Sequence, residues 1–377
     1  MKLNKTPLVS IIILNYNGRR FLKDCLLSVL ATEYPRFEVV LVDNASTDGS
    51  LNLAEEISAN DVRLKVIKNT KNMGFGPGNN LGLAHAEGDY IVFLNNDTWV
   101  YPDWLTYLVE TMEQDHTIGL AQSMILNMDS KKVQTAGWLV SDYCVFLYSV
   151  GSAHVFRGDE FPDVFEVSYA SGAAMITRRE LLKQVGEFDP KYFWFYDDNY
   201  LSYKIWLIGK RVVTISRSRV RHFGGGTSGE GTLFQKRCVA ICLLSLNFDI
   251  YMNKLHLVKA MLAFTYNSTT ESLKEIAEKR MNSRFRANLS AFAWTFCNLK
   301  HVWKSRLQYW SIAKVDENTL LRNMLKIHIP FKIYFVPSPA KLLWSYLRSE
   351  TTAFVVHLTN RAKGEQDLLS TPKYGKA

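Results

Sequence analysis

With 377 residues, 47% of them hydrophobic and 21% charged, the chain is too apolar for a disordered protein and too long for one small core. Its net charge of +9 is uneven: residues 236–377 carry 22 Lys and Arg against 9 Asp and Glu, so the first part is mildly acidic and the last attracts anions. Five scattered cysteines without a Cys-x-x-Cys pair argue against a disulfide framework or a zinc site, and no run of ~18 apolar residues is present to span a bilayer. Residues 1–7 lack the apolar segment of a signal peptide, so a reducing, cytoplasmic setting is expected.

In chain order, residues 9–14 read as a strand and 20–30 as a helix with Phe21, Leu22, Cys25, Leu26 and Val29 on one side. A strand at 37–42, a helix at 51–57 and a strand at 64–67 follow. A Gly-rich loop, 72–80, opens a helix toward Ala86, and 90–94 forms a fourth strand. This alternation predicts a mostly parallel sheet flanked by helices, an α/β fold. From 98 to 225 the pattern mixes: helices at 103–114, 178–185 and 198–208, strands at 173–176 and 211–215, and a Gly-rich turn at 222–227. Beyond 235 helices dominate, one through the 240s and 250s, one at 271–280 and a long one at 287–310.

Two apolar strands end in acids, one in Asp43 and the other, taken as its neighbour, in Asn95-Asn96-Asp97. A carboxylate at the carboxyl end of a buried strand faces the crevice of an open α/β sheet, where Asp97 could hold magnesium or manganese beside phosphate. Turn or N-cap chemistry is the alternative for Asp97, and an Asx-turn for Asp43. The glycines of the 72–80 loop allow close backbone approach to a ligand, but without GxGxxG order or a P-loop Lys-Ser/Thr. Adjacent carboxylates Asp197 and Asp198, after an aromatic cluster at 192–195, suit a general base or a helix N-terminal pair. His222 in basic surroundings could bind a metal or a phosphate, or cap the next turn.

In this order the segments from Val9 to Gly226 resemble glycosyltransferase family 2. They are Val9 through Gly18 with Asn15-Tyr16-Asn17-Gly18, Val42 through Ser50, Asn72 through Asn80, Leu94-Asn95-Asn96-Asp97, Gly172-Ala173-Ala174, Asp197-Asp198 and His222 through Gly226. The Asn-Tyr-Asn-Gly and Asn-Asn-Asp forms look like its rhamnosyltransferase-like branch. The resemblance implies the nucleotide-diphospho-sugar transferase (GT-A) fold with a C-terminal helical extension. It also implies an inverting, metal-dependent transfer of a sugar from a UDP, GDP or dTDP sugar to a hydroxyl of a glycan or lipid-linked acceptor. It assigns nucleotide contacts to Asn15, Asn17, Asp43, Asn72, Gly74 and Asn96, the Mg2+ or Mn2+ site to Asp97 and His222, the base to Asp198, and a supporting role to Asp197. Two departures stand out: Asn95 replaces the first acid of the DxD-type motif, and Tyr200 replaces a second acid after Asp198. A catalytically inactive nucleotide-sugar-binding or scaffolding protein is the alternative. A dinucleotide oxidoreductase lacks its fingerprint glycines here.

The expected organisation is a catalytic unit at 1–235, divided near 97 into nucleotide-binding and acceptor-binding halves, then a basic aromatic region at 236–350 and a polar tail at 351–377. Leu289, Phe292, Phe296, Leu299, Trp303, Leu307 and Trp310 recur at helical spacing beside Lys300, His301, Lys304 and Arg306. Such a stripe either lies in an anionic membrane interface or packs on the catalytic unit. The apolar-basic segments 331–335 and 341–344 favour the membrane, at the inner face of the plasma membrane. No nucleic-acid motif accompanies the charge.

Overall fold

A computed structural model describes residues 6–144, 147–152, 155–158, 161–190, 197–224, 232–277 and 283–327. Four parallel strands begin the chain: β1 (Val9–Asn15), β2 (Phe37–Asp43), β3 (Leu64–Lys68) and β4 (Tyr90–Asn95), joined by α1 (Arg19–Leu30), α2 (Ser50–Ser58) and α3 (Phe75–His85). Ile12, Val40, Val42 and Phe93 enter the core on one face of the sheet, and Ile11, Ile13, Val39 and Leu41 enter the core on the other. Both faces of β1, β2 and β4 are covered, so these strands carry consecutive apolar residues over 11–14, 39–42 and 90–94. The order is β3-β2-β1-β4. Two strands taken as neighbours from sequence, those leading to Asp43 and Asp97, are therefore separated by β1.

The second half extends this sheet to ten strands in the order β10-β12-β6-β11-β4-β1-β2-β3, with β5 and β7 attached to β12 and β6. Its elements are β5 (Thr98–Val100), α4 (Trp104–Gln114), β6 (Ile118–Asn127), β7 (Val133–Thr135), β8 (Trp138–Ser141), β9 (Leu147–Ser149), β10 (Val164–Glu166), β11 (Ala174–Arg178), α5 (Arg179–Val185), α6 (Asp197–Leu207) and β12 (Arg211–His222). Antiparallel β11 lies between β4 and β6. The strand expected at 211–215 continues to His222, and its end pairs antiparallel with β5 at Thr98. That pairing carries His222 back to the tip of β4.

The remaining elements are α7 (Leu233–Ile250), α8 (Lys254–Ala277), α9 (Ser283–Cys297), α10 (Leu299–Ser311), α11 (Glu317–Met324) and β13 (Leu325–Ile327). The separate helix expected from 271 is the end of α8, and the long helix expected at 287–310 divides between α9 and α10 at Asn298, whose amide donates to the Trp294 carbonyl. A strand appears where only helices were expected: β13 pairs with β8. No described helix is long and apolar enough to cross a membrane. Leu289, Phe296, Leu299, Trp303 and Leu307 are exposed, whereas Phe292 and Trp310 are partly buried. Most of the stripe thus faces solvent. Residues 192–195, Gly225, Gly226, 331–335 and 341–344, singled out from sequence, lie outside the described residues.

Candidate active site

The strand order reverses between β1 and β4, and ligands of open α/β sheets bind outside the carboxyl ends of strands at such a point. Asn15 ends β1, Asn95 ends β4 and Asn96-Asp97 follow it, so these residues selected from sequence converge there. Asn15 is fully buried and works as a hub. Its amide nitrogen lies 2.9 Å from Asp43 Oδ1 and 2.8 Å from Ser50 Oγ, and its Oδ1 accepts from Asn96 Nδ2 at 2.8 Å. Gly18 is required beside it, because a Cβ there would lie 2.1 Å from Asn96 Nδ2. Replacing Asn15 by alanine strands buried partners on three segments. The expected loss is on the order of 1–3 kcal/mol in denaturant-unfolding stability.

Asp43 is buried too, and its Oδ2 accepts the Ser46 N–H at 2.9 Å, an Asx-type closure of the turn. Asn17 is exposed, adopts a left-handed backbone (φ 50°), and accepts the Thr47 N–H at 2.8 Å. Asn72 Oδ1 accepts from Gly74 N–H and from Asn44 Nδ2, both at 2.9 Å. Gly74 itself has φ 87°, which favours glycine, and caps α3. Asn44, which no sequence pattern marks, binds this loop to the end of β2: its Oδ1 accepts from the Met73 N–H at 3.1 Å.

Asp97 and His222 meet, with Oδ1 3.0 Å from Nε2. Burial pushes the Asp97 carboxyl up, but the His222 hydrogen bond and charge, with the Asp97 and Gly224 backbone N–H groups, outweigh it and hold the carboxyl below the usual range. On the other side of the ring, His222 Nδ1 donates to Gln134 Oε1 at 2.6 Å. That bond turns Nε2 toward Asp97, and a proton or a cation closes the contact. The spacing suits a cation, since neighbouring ligands at ~2.1 Å in octahedral coordination lie ~3.0 Å apart. Among the described residues no cluster of three or more His, Cys, Asp or Glu offers a fuller site, so a metal here would draw its other ligands from phosphate and water. Asn95 Nδ2 lies 3.2 Å from the same Nε2 and competes for it.

Gln134 stands on the three-residue β7 and carried no signal in the sequence. Partners that fix a ligating histidine are commonly worth 10–100-fold in metal affinity. Gln134→Leu should weaken Mn2+ binding by about that factor. Gln134→Glu, which keeps an acceptor for Nδ1, should retain more of it, as read by Mn2+ titration of the protein without nucleotide.

Asp97 also forms part of the wall of an open cavity of about 500 Å³ with Phe21, Asp24, Leu27, Trp99 and Met128. Among the described residues that line it, none is cationic. A diphosphate at that wall would need a bound cation.

Asp197 and Asp198 open α6 and differ in environment. Asp197 is buried, and burial, then the charges of Asp198 and Asp189, push its carboxyl well above the ordinary value. Asp198 is partly exposed. Burial raises its carboxyl against the Gly172 and Asn199 N–H groups, which donate to it at 2.8 and 2.9 Å. The next residue, Ala173, accepts the Asn95 N–H at 3.0 Å. Asp198 is therefore linked to the β4 tip through one short segment. Tyr200, the second departure, donates to Asp249 of α7 at 2.9 Å and ties α6 to the C-terminal helices.

Residues 10–186 match the model of the family described as Glycosyl transferase family 2. This part of the chain belongs to glycosyltransferase family 2. An uncharacterized glycosyltransferase of Haemophilus influenzae is 37% identical over 112 residues, 30% of this chain and 45% of the relative. The chain spans between about a third and a half of the curated glycosyltransferases it matches first. Among solved structures, S. aureus TarS 1–349 in complex with UDP-GlcNAc is similar with a TM-score of 0.53 and 17% identity over 96% of this chain and 94% of that one. GalNAc-T7 with UDP, GalNAc and Mn2+ is similar with a TM-score of 0.51 and 18% identity over 73% of this chain and 59% of that one. At these identities the likeness shows the fold alone, GT-A.

Proposed function

We propose that the chain transfers a sugar from a UDP, GDP or dTDP sugar to a hydroxyl of a glycan or lipid-linked acceptor, with inversion, using Mg2+ or Mn2+. The observation that carries this reading is the partly exposed Asp198, fixed by Gly172 beside the strand tip that bears the Asp97–His222 pair. Asp198 takes the proton of the acceptor hydroxyl as its oxygen bonds to the anomeric carbon and the bond to the nucleoside diphosphate breaks on the opposite face. Buried Asp197 does not exchange that proton with solvent and supports its neighbour electrostatically. Asp97 and His222 would hold the cation, which when bound neutralises charge on the departing diphosphate. Asn17, Asp43, Asn72, Gly74 and Asn96 shape the nucleotide side, with Asn15 acting through Asp43 and Asn96.

The neighbours solved with UDP-GlcNAc and with UDP, GalNAc and Mn2+ support a donor of this class and a divalent ion. The rhamnosyltransferase-like forms at residues 15–18 and 95–97 support a deoxyhexose donor among those to be tried. The test is transfer or slow hydrolysis of each nucleotide sugar with Mn2+, with the product's anomeric configuration read by proton NMR. A retained configuration would overturn single displacement. One observation favours the inactive binder as second reading: Asn95 occupies the His222 nitrogen a cation needs. Hydrolysis by no donor, with binding intact, would select it.

A further inference from the structure

Helices α8, α9 and α10 bury one face, which includes Phe264, Val302 and Tyr309, yet leave many large apolar side chains on the other exposed. Ala260 and Ala263 of α8, Ala287 and Ala291 of α9 and Ser305 of α10 are buried. On the solvent side of α8, Leu255, Val258, Leu262 and Leu273 recur at helical spacing, each more than half exposed. Along α9 and α10 the same holds for Leu289, Phe296, Trp303 and Leu307, with Phe296 at 80% and Trp303 at 54% exposure. A soluble surface rarely concentrates large apolar groups this way without a partner. The exposed charges of these helices, among the described residues, are Lys254, Arg286, Lys300 and Lys304, all basic.

We infer that this face adsorbs to a bilayer surface containing anionic phospholipid. Leucine, phenylalanine and tryptophan rows enter the acyl boundary, and the lysines and arginine meet the headgroups. A second copy of the chain is disfavoured as occupant, because two such faces would oppose basic rims. Nucleic acid would satisfy the charges and leave the apolar rows wet.

Adsorption at this face would also orient the active site. Tyr309 of α10 packs edge-on against Tyr203 of α6, and His301 pairs with Asp189 at 3.0 Å. The loop of Asp189 is held in turn by Lys204 of α6, whose ammonium donates to the Gly186 and Glu187 carbonyls at 2.7 Å. The exposed rows are thus fastened to the helix that carries Asp198. This deepens the transfer reading by placing the acceptor source at a membrane, but adsorption itself does not depend on catalysis.

The test is co-sedimentation of the full chain with vesicles of phosphatidylcholine alone and of phosphatidylcholine with phosphatidylglycerol. The wild type should bind the anionic vesicles at least tenfold more tightly at low salt and lose that preference in 1 M NaCl, where screening acts within about 3 Å. Phe296→Glu with Trp303→Glu should lower binding to both, and Lys300→Glu with Lys304→Glu should remove the anionic preference. These positions are exposed, so melting temperatures should hold. Absence of wild-type binding, binding that neither variant alters, or a dimer that the variants dissociate would overturn the inference. Nucleotide-sugar turnover without vesicles, measured in parallel, fails separately if the transfer reading is wrong.

Discussion

Asp198→Asn should lower transfer by ~10²–10⁴-fold, the usual contribution of a positioned general base. The amide cannot take the acceptor proton, yet it occupies the same volume and keeps one acceptor for the two N–H groups of Gly172 and Asn199. Nucleotide affinity should stay near the wild-type value, because Asp198 belongs to the acceptor side. The wild-type pH profile carries a second mark of this residue. Burial raises the Asp198 carboxyl, so its protonated, inactive form persists to higher pH than for an ordinary aspartate. Activity should therefore fall as pH decreases through that raised value, and the acidic limb should vanish from the residual rate of the variant. Transfer at the wild-type rate would remove Asp198 from the mechanism.

Asp97→Asn should reduce kcat/KM by on the order of 10²-fold or more, since loss of a direct ligand costs at least what loss of its supporting partner does. The wild-type carboxyl is held below its usual range, so it is charged at neutral pH. The amide removes that charge while leaving a group able to reach His222. The defect should lie in cation and diphosphate binding, not in folding. Mn2+ titration by calorimetry separates the two: weak or absent Mn2+ binding with an unchanged melting temperature is expected. Asn95→Asp should act in the opposite direction by replacing the amide that competes for His222 Nε2 with a third ligand.

The placement of the candidate residues was largely legible because several of them end or follow strands, and strand ends announce themselves as polar breaks after apolar runs, as at Asn15, Asp43 and Asp97. Their division of labour was less legible. The family resemblance implies a nucleotide contact for Asn15, and its amide bonds within the protein to Asp43, Ser50 and Asn96. Gln134 could not be found, since a glutamine in a three-residue strand has no periodicity to mark it. Strand β6 was missed for a related reason. It is buried throughout its core, yet it contains Gln122 and Ser123, which look like loop residues until Gln122 is seen bonded to Ser171 N–H and Ser123 to Ser218. Satisfied polar groups break the apolar pattern without breaking the strand.

The C-terminal stripe shows another limit of pattern. Spacing of three and four identifies one face of a helix but not which way it turns. Here alanines at 287 and 291 let α9 lie close on its neighbours, Phe292 and Trp294 are partly buried, and Phe285, Leu289 and Phe296 are left outside.

The central claim is that the crevice between the β1 and β4 tips binds a nucleoside-diphosphate sugar through a cation held by Asp97 and His222. Calorimetric titration of UDP, GDP and dTDP sugars, each with and without Mn2+, into the wild type and Asp97→Asn tests it most directly. At least one donor should bind the wild type only with Mn2+, raise its melting temperature as a ligand of the native state must, and fail to bind the variant. Binding by no donor, or equal binding without the cation and in Asp97→Asn, would contradict it.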